Sequence, residues 1–380
     1  MTDPQTRPPL LAVMPRDARL DFLRGVALVM IFINHVPGTV YENFTSRNFG
    51  FSDAAEGFVL ISGIAAGLAY SPAIARGITW PSVGRIWHRA WTLYLIHLLT
   101  TVLAIAVVAA GVLWLDTAAL LKEHNLGPIF TRPFGVQLGI PLLSHQIGYA
   151  NILPLYAVLL MVTPFALVAA LNWPRALIAG AAVLWFLSGH FYIDFPNFPN
   201  AGGWFFNPLS WQLLFAIGLA TGAALRRGQR LVPDRLWARW ATGLFLLVAA
   251  VCTLNPTAQA AMGTMLWRLQ DAGMPRIFTA FDKTYVSGPR LVHILALAYF
   301  LSTLPALKRL AHSGFARPFV LMGRQSLPVF ALGIVLAYAA QVIMTAWPSG
   351  FALDSVIIAV GLALHLAVAW ARAHLRLDRR

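Results

Sequence analysis

Long apolar stretches alternate with short polar ones along almost the whole chain. A helix that crosses a bilayer needs about 20 mostly apolar residues, and ten stretches approach or exceed that length. They cover about 19–38, 53–70, 85–113, 149–171, 176–193, 208–225, 238–255, 290–306, 318–345 and 353–373. The pattern therefore predicts an all-α polytopic membrane bundle of about ten transmembrane helices.

The composition supports a membrane protein. The chain is 58% hydrophobic and 11% charged, whereas about 25% of the residues of a typical soluble domain are charged. Lipid must therefore cover much of the apolar surface. The single cysteine, Cys252, excludes a disulfide framework and a cysteine-based zinc site. No pair of histidines has the helical spacing of metal ligands, so neither a metal nor a tightly bound cofactor is expected.

The positive charges predict the orientation of the bundle. With both termini in the cytoplasm, 21 of the 28 Lys and Arg residues lie on the cytoplasmic side, in agreement with the positive-inside rule. The seven that lie outside are Arg47, Lys122, Arg132, Arg268, Arg276, Lys283 and Arg290. The net charge of +14 does not indicate a nucleic-acid partner, because the basic residues alternate with apolar spans and form no single patch.

The predicted organisation is one domain between two tails. Residues 1–18 form a cytoplasmic N-terminal tail, 19–373 a single transmembrane domain, and 374–380 a basic cytoplasmic tail. The longest outer segments span about 114–148, 194–207 and 256–289. These segments are rich in Pro, Gly, Asn and aromatic residues, and each is too short to bury a core of its own.

The first apolar stretch, RLDFLRGVALVMIFINHVPG, carries ionisable residues that cost about 2.5–3.5 kcal/mol each within a span. Arg24 and His35 are eleven residues apart, so they share a helix face about 16 Å apart along the axis. Asp21 is placed to pair with Arg24. Arg24 alone is also explained by snorkelling to the inner headgroups, and His35 by a bond to a neighbouring helix. Beside Asn34, in so apolar a run, His35 is better explained as a base that accepts a hydroxyl proton.

A second polar group begins the next stretch, FGFSDAAEGFVLISG. An N-cap at Ser52 and Asp53, with Glu56 in the first turn, would stabilise any helix. Glu56 is also predicted to lie at the membrane edge near His35, where it would orient the imidazole as the acid of a catalytic triad does. The candidate catalytic residues are therefore His35, Glu56 and Asn34, with Asn34 as a donor to an oxyanion.

Four arginines near the inner ends of the spans are candidates for binding an anionic co-substrate. They are Arg24, Arg85, Arg89 and Arg324. Arg85 and Arg89, in GRIWHRAW, also fit a simple positive-inside anchor. If these side chains face a cavity, they suit a polyphosphate, because arginine makes bidentate contacts with phosphate.

Polar and aromatic side chains collect in the outer segments and at outer helix ends. The candidates for substrate binding are Asp53, Asn151, Trp204, Asn207, Trp211, Gln212, Asp282, Lys283, Tyr285 and Arg290. The aromatic members are also explained as an interfacial belt. The alternative is a carbohydrate platform built from flat aromatic faces and amide donors.

The run LDFLRGVALVMIFINHVPG, followed by NFGFSDAAEGFVLISG, resembles the start of the OpgC family of periplasmic-glucan succinyltransferases, which is related to the acyltransferase-3 membrane proteins. The resemblance continues through NILPLYAVLLMVTP, FNPLSWQLLFAIG, DKTYVSGPRLVHILALAY and MGRQSLPVFALG. In the broader group an Arg and a His separated by ten residues mark the first helix, and the His is held to be essential. Here those positions are Arg24 and His35. That group's second basic motif is most closely matched by Arg85 and Arg89, which are spaced by four residues.

The resemblance implies an enzyme of the bacterial inner membrane that transfers an acyl group, expected to be succinyl. The donor would be a cytoplasmic acyl-CoA co-substrate, and the acceptor a hydroxyl of an osmoregulated periplasmic glucan. Direct transfer and a covalent acyl-histidine intermediate are both compatible with these residues. The residues alone also leave open a polytopic transporter of an anionic or carbohydrate solute, or a non-catalytic membrane scaffold.

Overall fold

The computed structural model describes residues 16–377. Of the two predicted tails, residues 1–15 and 378–380 lie outside the described residues. Within residues 16–377 the regular structure is helical, with no strand and one isolated bridge between Pro196 and Gly203. The all-α prediction is therefore confirmed for this part of the chain.

The described residues up to 254 contain ten α-helices. They are α1 (Ala18–Asn34), α2 (Ala54–Ile74), α3 (Trp80–Leu115), α4 (Leu120–Glu123), α5 (Pro128–Thr131), α6 (Pro133–Gly139), α7 (Ile152–Asn172), α8 (Pro174–Phe191), α9 (Pro208–Arg226) and α10 (Leu236–Leu254). Helices α4 to α6 are short and lie in the predicted outer segment 114–148. A 3-10 turn, Gly148–Ala150, connects that segment to α7.

The described residues from 256 onward contain seven α-helices. They are α11 (Pro256–Asp271), α12 (Arg276–Thr279), α13 (Gly288–Thr303), α14 (Pro305–Ala311), α15 (Arg317–Arg324), α16 (Ser326–Ala346) and α17 (Phe351–Leu377). Helix α17 continues past residue 373, where the predicted domain ends.

Seven of the helices are long and apolar enough to cross a membrane: α2, α3, α7, α9, α10, α16 and α17. An eighth span is possible if α13 and α14, which are bent by 77°, cross together. Helices α1 and α8 also coincide with predicted spans but are not among these seven. The count of about ten spans and the cytoplasmic position of both termini stay predictions.

The helices differ from the predicted ones in three details. The predicted span 318–345 is two helices, because the helix ends at Arg324 and a new one begins at Ser326, after Gln325. The predicted span 290–306 ends at Thr303, since Pro305 starts the bent helix α14. The outer segment 256–289, predicted as a loop, contains the 16-residue helix α11.

Local chemistry explains where helices start. The Asp53 side chain accepts a hydrogen bond from the Ala55 amide at 2.8 Å, and the Glu56 side chain accepts one from the Asp53 amide at 3.0 Å. This capping box satisfies amides that the first turn leaves without partners. The predicted N-cap at Asp53 is thereby confirmed.

Glycines allow the two most closely packed helices, α2 and α9, to touch. A Cβ on Gly63 would lie 2.3 Å from the Phe215 carbonyl oxygen, and one on Gly67 would lie 2.4 Å from that of Leu219. A larger residue at either position would push the two backbones apart, which is the usual use of small residues four apart in membrane helices.

Helix α1 lies inside the bundle, packed against α2, α15 and α16. Helix α3 packs against α7 and α16. Helix α10 is peripheral: it packs on α13 and leaves Trp237, Trp240 and Leu247 exposed, as expected for a face that contacts lipid. Polar side chains on α1 therefore point toward protein, which places them where cavities can form.

Candidate functional site

A cavity of about 180 Å³ lies among α1, α2, α3, α7 and α16, and we call it the inner cavity. Arg24 of α1 and Arg89 of α3 line it together with Tyr70, Tyr156 and Ser326. Most of the remaining wall is apolar. The inner cavity thus brings two cations and several hydroxyl groups together.

The two cations of the inner cavity have no carboxylate partner within residues 16–377. Among residues 16–377, neither Arg24 nor Arg89 forms a salt bridge. One Arg24 nitrogen donates to the Ile61 carbonyl at 3.4 Å. Because a charge inside a span is costly unless something compensates it, this cavity is suited to an anion.

The predicted pair of Asp21 with Arg24 is wrong. Asp21 accepts hydrogen bonds of 2.6 and 2.7 Å from Arg16, and Arg324 Nε lies 3.4 Å from the same carboxylate. Asp21 is one turn closer to the start of α1, where these two arginines reach it, whereas Arg24 turns into the cavity.

The four predicted arginine ligands therefore separate into two groups. Arg24 and Arg89 share the inner cavity. Arg85 is exposed, and its Nε donates to the Pro81 carbonyl of its own helix at 3.2 Å. The Arg324 side chain is half exposed beside Asp21. These last two side chains are not among those that line the inner cavity.

His35 is the residue that ends α1, and its ring stacks on Tyr149 with centroids 4.0 Å apart. Tyr149 comes from the 3-10 turn that precedes α7, so the outer segment covers the imidazole. The His35 carbonyl accepts a hydrogen bond of 2.7 Å from Gln341, and Gln341 Oε1 lies 2.5 Å from His124 Nε2. These contacts connect the C-terminal end of α1 to α16 and to the outer segment.

A second, smaller cavity of about 10 Å³ is lined by His35, and we call it the histidine cavity. Its wall also includes Leu28 and Ile31, which continue the stripe of α1 that begins at Arg24. Phe330 of α16 lines both cavities. One face of α1 therefore runs from the inner cavity to the histidine cavity, over the distance of about 16 Å that eleven helical residues span.

Glu56 does not contact the imidazole as predicted. It is fully buried, and its carboxylate accepts hydrogen bonds from Arg290 Nε at 2.6 Å and from the Asp53 amide. A buried carboxylate is best stabilised by a directly bonded cation, and α13 supplies that cation with Arg290. The orienting role assigned to Glu56 is therefore not supported by its contacts.

Glu56 belongs to an outer ion cluster that consists of Asp53, Glu56, Lys283 and Arg290. Lys283 Nζ lies 2.5 Å from Asp53 Oδ2, and Arg290 bonds Glu56 and lies 3.4 Å from Asp53. Burial alone would raise the pKa of Asp53, but the charges of Lys283 and Arg290 and a hydrogen bond lower it below its ordinary value. The two negative and two positive charges of the cluster balance. Three of the predicted substrate ligands therefore make ion pairs between the start of α2 and the region of α13; they are Asp53, Lys283 and Arg290.

The predicted tryptophan platform is wrong because both residues are buried. Trp204 is 5% exposed and Trp211 is not exposed at all. The Trp211 indole donates to the Lys283 carbonyl at 3.1 Å. Tyr192 and Phe205, which lie near Trp204 in the sequence, are about half exposed.

Two predicted amide ligands hold helices together. Asn207 is the N-cap of α9, accepts from the Leu209 amide at 2.9 Å and donates to the Ile193 carbonyl at 2.7 Å. Gln212 donates to the Ala181 carbonyl of α8 at 2.8 Å. Their hydrogen bonds are thus made within the fold.

The remaining predicted ligands lie at the outer ends of the bundle. Asn34 Oδ1 accepts a hydrogen bond of 2.7 Å from Thr45. Asn151 precedes α7, and among the described residues its buried Oδ1 has no partner. Asp282 Oδ1 accepts from the Thr284 amide at 2.8 Å. Tyr285 is partly exposed and makes an edge contact with Tyr192.

Residues that surround His35 but were not predicted are Tyr149, His124, Gln341 and His365. They come from the outer segment and from α16 and α17, more than 80 positions from His35 in the sequence. No spacing rule links such positions. In the described part of the chain, no group of three His, Cys, Asp or Glu residues is placed to hold a metal ion.

A comparison with protein families supports the expected membership. The family model described as OpgC protein matches residues 16–376, nearly the whole chain. Neither a search of curated proteins nor a search of solved structures found a match.

Proposed function

The chain belongs to the OpgC family, whose members take part in the modification of osmoregulated periplasmic glucans, and from this premise we propose that it is an acyltransferase. We infer that it moves an acyl group, specifically succinyl, from acyl-CoA in the cytoplasm to glucan hydroxyls in the periplasm. The protein would act as a multi-pass enzyme of the inner membrane, with the glucan and acyl-CoA as its substrates.

One observation carries this proposal: Arg24 and His35 lie on the same face of α1, each beside a cavity, and Phe330 lines both cavities. In this arrangement the polyanionic donor would bind at the Arg24 end of the α1 face. The hydroxyl acceptor would bind at the His35 end of the same face. Acyl transfer to a hydroxyl needs a base at the acceptor's end, and His35 supplies one.

The inner cavity supports binding of the anionic part of the donor. Arg24 and Arg89 are free of carboxylate partners among the described residues and sit beside hydroxyl groups, and arginine binds phosphate with two parallel hydrogen bonds. The thin pantetheine arm of CoA would then extend along α1 toward His35. Phe330, which stacks on Phe58 with centroids 6.0 Å apart, lies where that arm must pass.

The chemistry at the outer end is acyl transfer with His35 as base. The glucan hydroxyl oxygen forms a bond with the thioester carbonyl carbon as its proton passes to the imidazole. The carbon–sulfur bond then breaks, the ester stays on the glucan, and the thiolate of CoA takes the proton from the imidazolium. The Asn34 amide, held at its oxygen by Thr45, is the proposed donor to the oxyanion.

The outer surface near this end supports a carbohydrate acceptor. Tyr192 and Phe205 present exposed aromatic faces, and Tyr285 packs against Tyr192. Asp282 lies beside Tyr285 in the same segment. These residues replace the buried tryptophans as the proposed glucan-binding surface.

The test is mass spectrometry of periplasmic glucans from cells with and without the gene. We expect acylated glucans only when the protein is present, with a mass increment that identifies the acyl group. Complementation with a variant in which an exposed residue such as Glu123 is changed to Ala serves as the control. Identical glucans in both strains would contradict the proposal.

A further inference from the structure

A second imidazole, that of His365, lines the histidine cavity together with His35. His365 lies on α17 and is 2% exposed. It lines the same cavity as His35, and its ring packs against Phe32 with centroids 4.7 Å apart. The other residues that line this cavity have no polar side chain, so the two histidines supply its polar side-chain groups.

A hydrogen bond to the backbone shows which ring nitrogen of His365 carries the proton. His365 Nδ1 lies 2.6 Å from the Gly361 carbonyl oxygen. Since a carbonyl can only accept, Nδ1 carries the hydrogen, and in the neutral ring Nε2 is then an acceptor. His365 therefore offers one lone pair to its surroundings.

The packing of α16 leaves room for that acceptor. A Cβ on Gly333 would lie 2.7 Å from His365 Nε2, so glycine at this position lets the ring lie against α16. The histidine cavity, at about 10 Å³, has the volume that one water molecule needs. Two imidazoles supply the minimum of two polar partners that a buried water requires.

The geometry points to His365 as a positioning residue for His35. A single water molecule accepts the N–H of His35 that faces the histidine cavity and donates to His365 Nε2. These two hydrogen bonds fix the tautomer of His35. The ring nitrogen of His35 that does not bond the water is then the one that takes the hydroxyl proton. The inference rests on the proposed acyl transfer and names the group that sets up its base. The tautomer matters because a base with its proton on the wrong nitrogen cannot accept another.

The experiment measures kcat and KM of the purified full-length protein with succinyl-CoA and with unacylated periplasmic glucans from cells that lack the gene. For His365→Phe we expect kcat to fall about ten- to a hundredfold, by analogy with residues that orient a functional imidazole, with KM for succinyl-CoA unchanged. His365→Gln, which restores an acceptor oxygen near the position of Nε2, should recover part of that loss.

Two matched controls separate positioning from general damage to α17. His374 is exposed on the same helix, and its Nδ1 makes the same kind of bond to the carbonyl four residues earlier. His374→Phe should therefore leave kcat unchanged. Gly333→Ala should lower kcat with His365 intact, because the new Cβ displaces the imidazole, whereas Gly180→Ala, at a helical glycine in open space, should not.

The outcomes distinguish this inference from the proposed function. Wild-type kcat in both His365→Phe and Gly333→Ala, with no activity in His35→Ala, would overturn the role of His365 and leave the acyl transfer in place. Equal losses of kcat in His365→Phe and His365→Gln would also contradict it, since the acceptor would then have no effect. Activity in His35→Ala would remove the proposed function itself.

Discussion

The inner cavity and the outer ion cluster both concentrate charge in an apolar bundle, but of these two sets only the outer charges form salt bridges with other described residues. In the outer ion cluster, Asp53 and Glu56 each bond a cation. In the inner cavity, Arg24 and Arg89 have no salt bridge to any residue that the structure describes.

This difference separates structural charge from functional charge. Paired buried ions are satisfied by the fold and leave nothing for a ligand, and removal of one partner is costly. Cations beside a cavity without an ion-pair partner remain available to a ligand. Their positive charge is then compensated by an anion that binds in the cavity. The candidate site is therefore better identified by its missing partners than by its number of charges.

The largest expected effect on stability is in the outer ion cluster. Glu56→Leu leaves Arg290 without its buried partner, and we expect a loss of about 3–5 kcal/mol in the free energy of unfolding. The double variant Glu56→Leu with Arg290→Met should recover most of this loss, because Asp53 and Lys283 still balance each other. Thermal unfolding in detergent measures both. A double variant no more stable than Glu56→Leu would show that the pair is not the cause.

The corresponding change in the inner cavity should affect binding and leave stability intact. Arg24→Gln or Arg89→Gln removes a charged hydrogen bond worth about 1.5–3 kcal/mol, so KM for succinyl-CoA should rise about ten- to a hundredfold. The melting temperature should change little, since no salt bridge among residues 16–377 is lost and the single internal hydrogen bond of Arg24, to the Ile61 carbonyl, is long at 3.4 Å. Arg85→Gln is the control, because Arg85 is exposed one turn away on the same helix. An equal rise of KM in all three variants would contradict a specific site.

Phe330 tests whether the two cavities belong to one path. Phe330→Trp places more volume where both cavities meet, and we expect kcat to fall about tenfold with little change in KM, because a misplaced thioester reacts slowly. Phe319→Trp, outside both cavities but also beside α1, is the comparison. Unchanged kcat in Phe330→Trp would separate the inner cavity from His35.

The smallest effect is a pH dependence at the outer surface. Burial raises the pKa of Asp194, in the outer loop after α8, to about 6. A carboxyl whose pKa is raised on folding stabilises the protein below its unfolded pKa of about 4, and this contribution is lost as the pH rises through 6. Asp194→Asn should therefore lose less stability than the wild type between pH 4 and 7, as measured by melting temperature. The same slope in both proteins would assign the pH dependence to other groups.

The sequence was sufficient for the helices because hydropathy is a local signal. Each predicted span overlaps a helix, although 318–345 covers two and 290–306 reaches the start of a second, and the N-cap at Asp53 could be predicted from four consecutive residues. The break at Gln325 was missed because the apolar pattern continues on both sides of it. Hydropathy does not show where a helix changes direction.

The sequence was less informative about partners. Glu56 was placed beside His35, but it bonds Arg290, which is 234 positions away. Trp211 was predicted as an exposed face, although tertiary packing buries it completely. The stacking of Tyr149 on His35 and the approach of His365 depend on how distant helices meet, which one sequence does not reveal.

The most direct measurement compares CoA binding and glucan acylation in a single variant, His35→Ala. We expect the His35→Ala variant to bind CoA with wild-type affinity, because Arg24 and Arg89 are unchanged. Its acylation rate should be at least about a hundredfold below that of the wild type, in line with the loss of a general base. Acylation at the wild-type rate by folded His35→Ala protein would contradict the account.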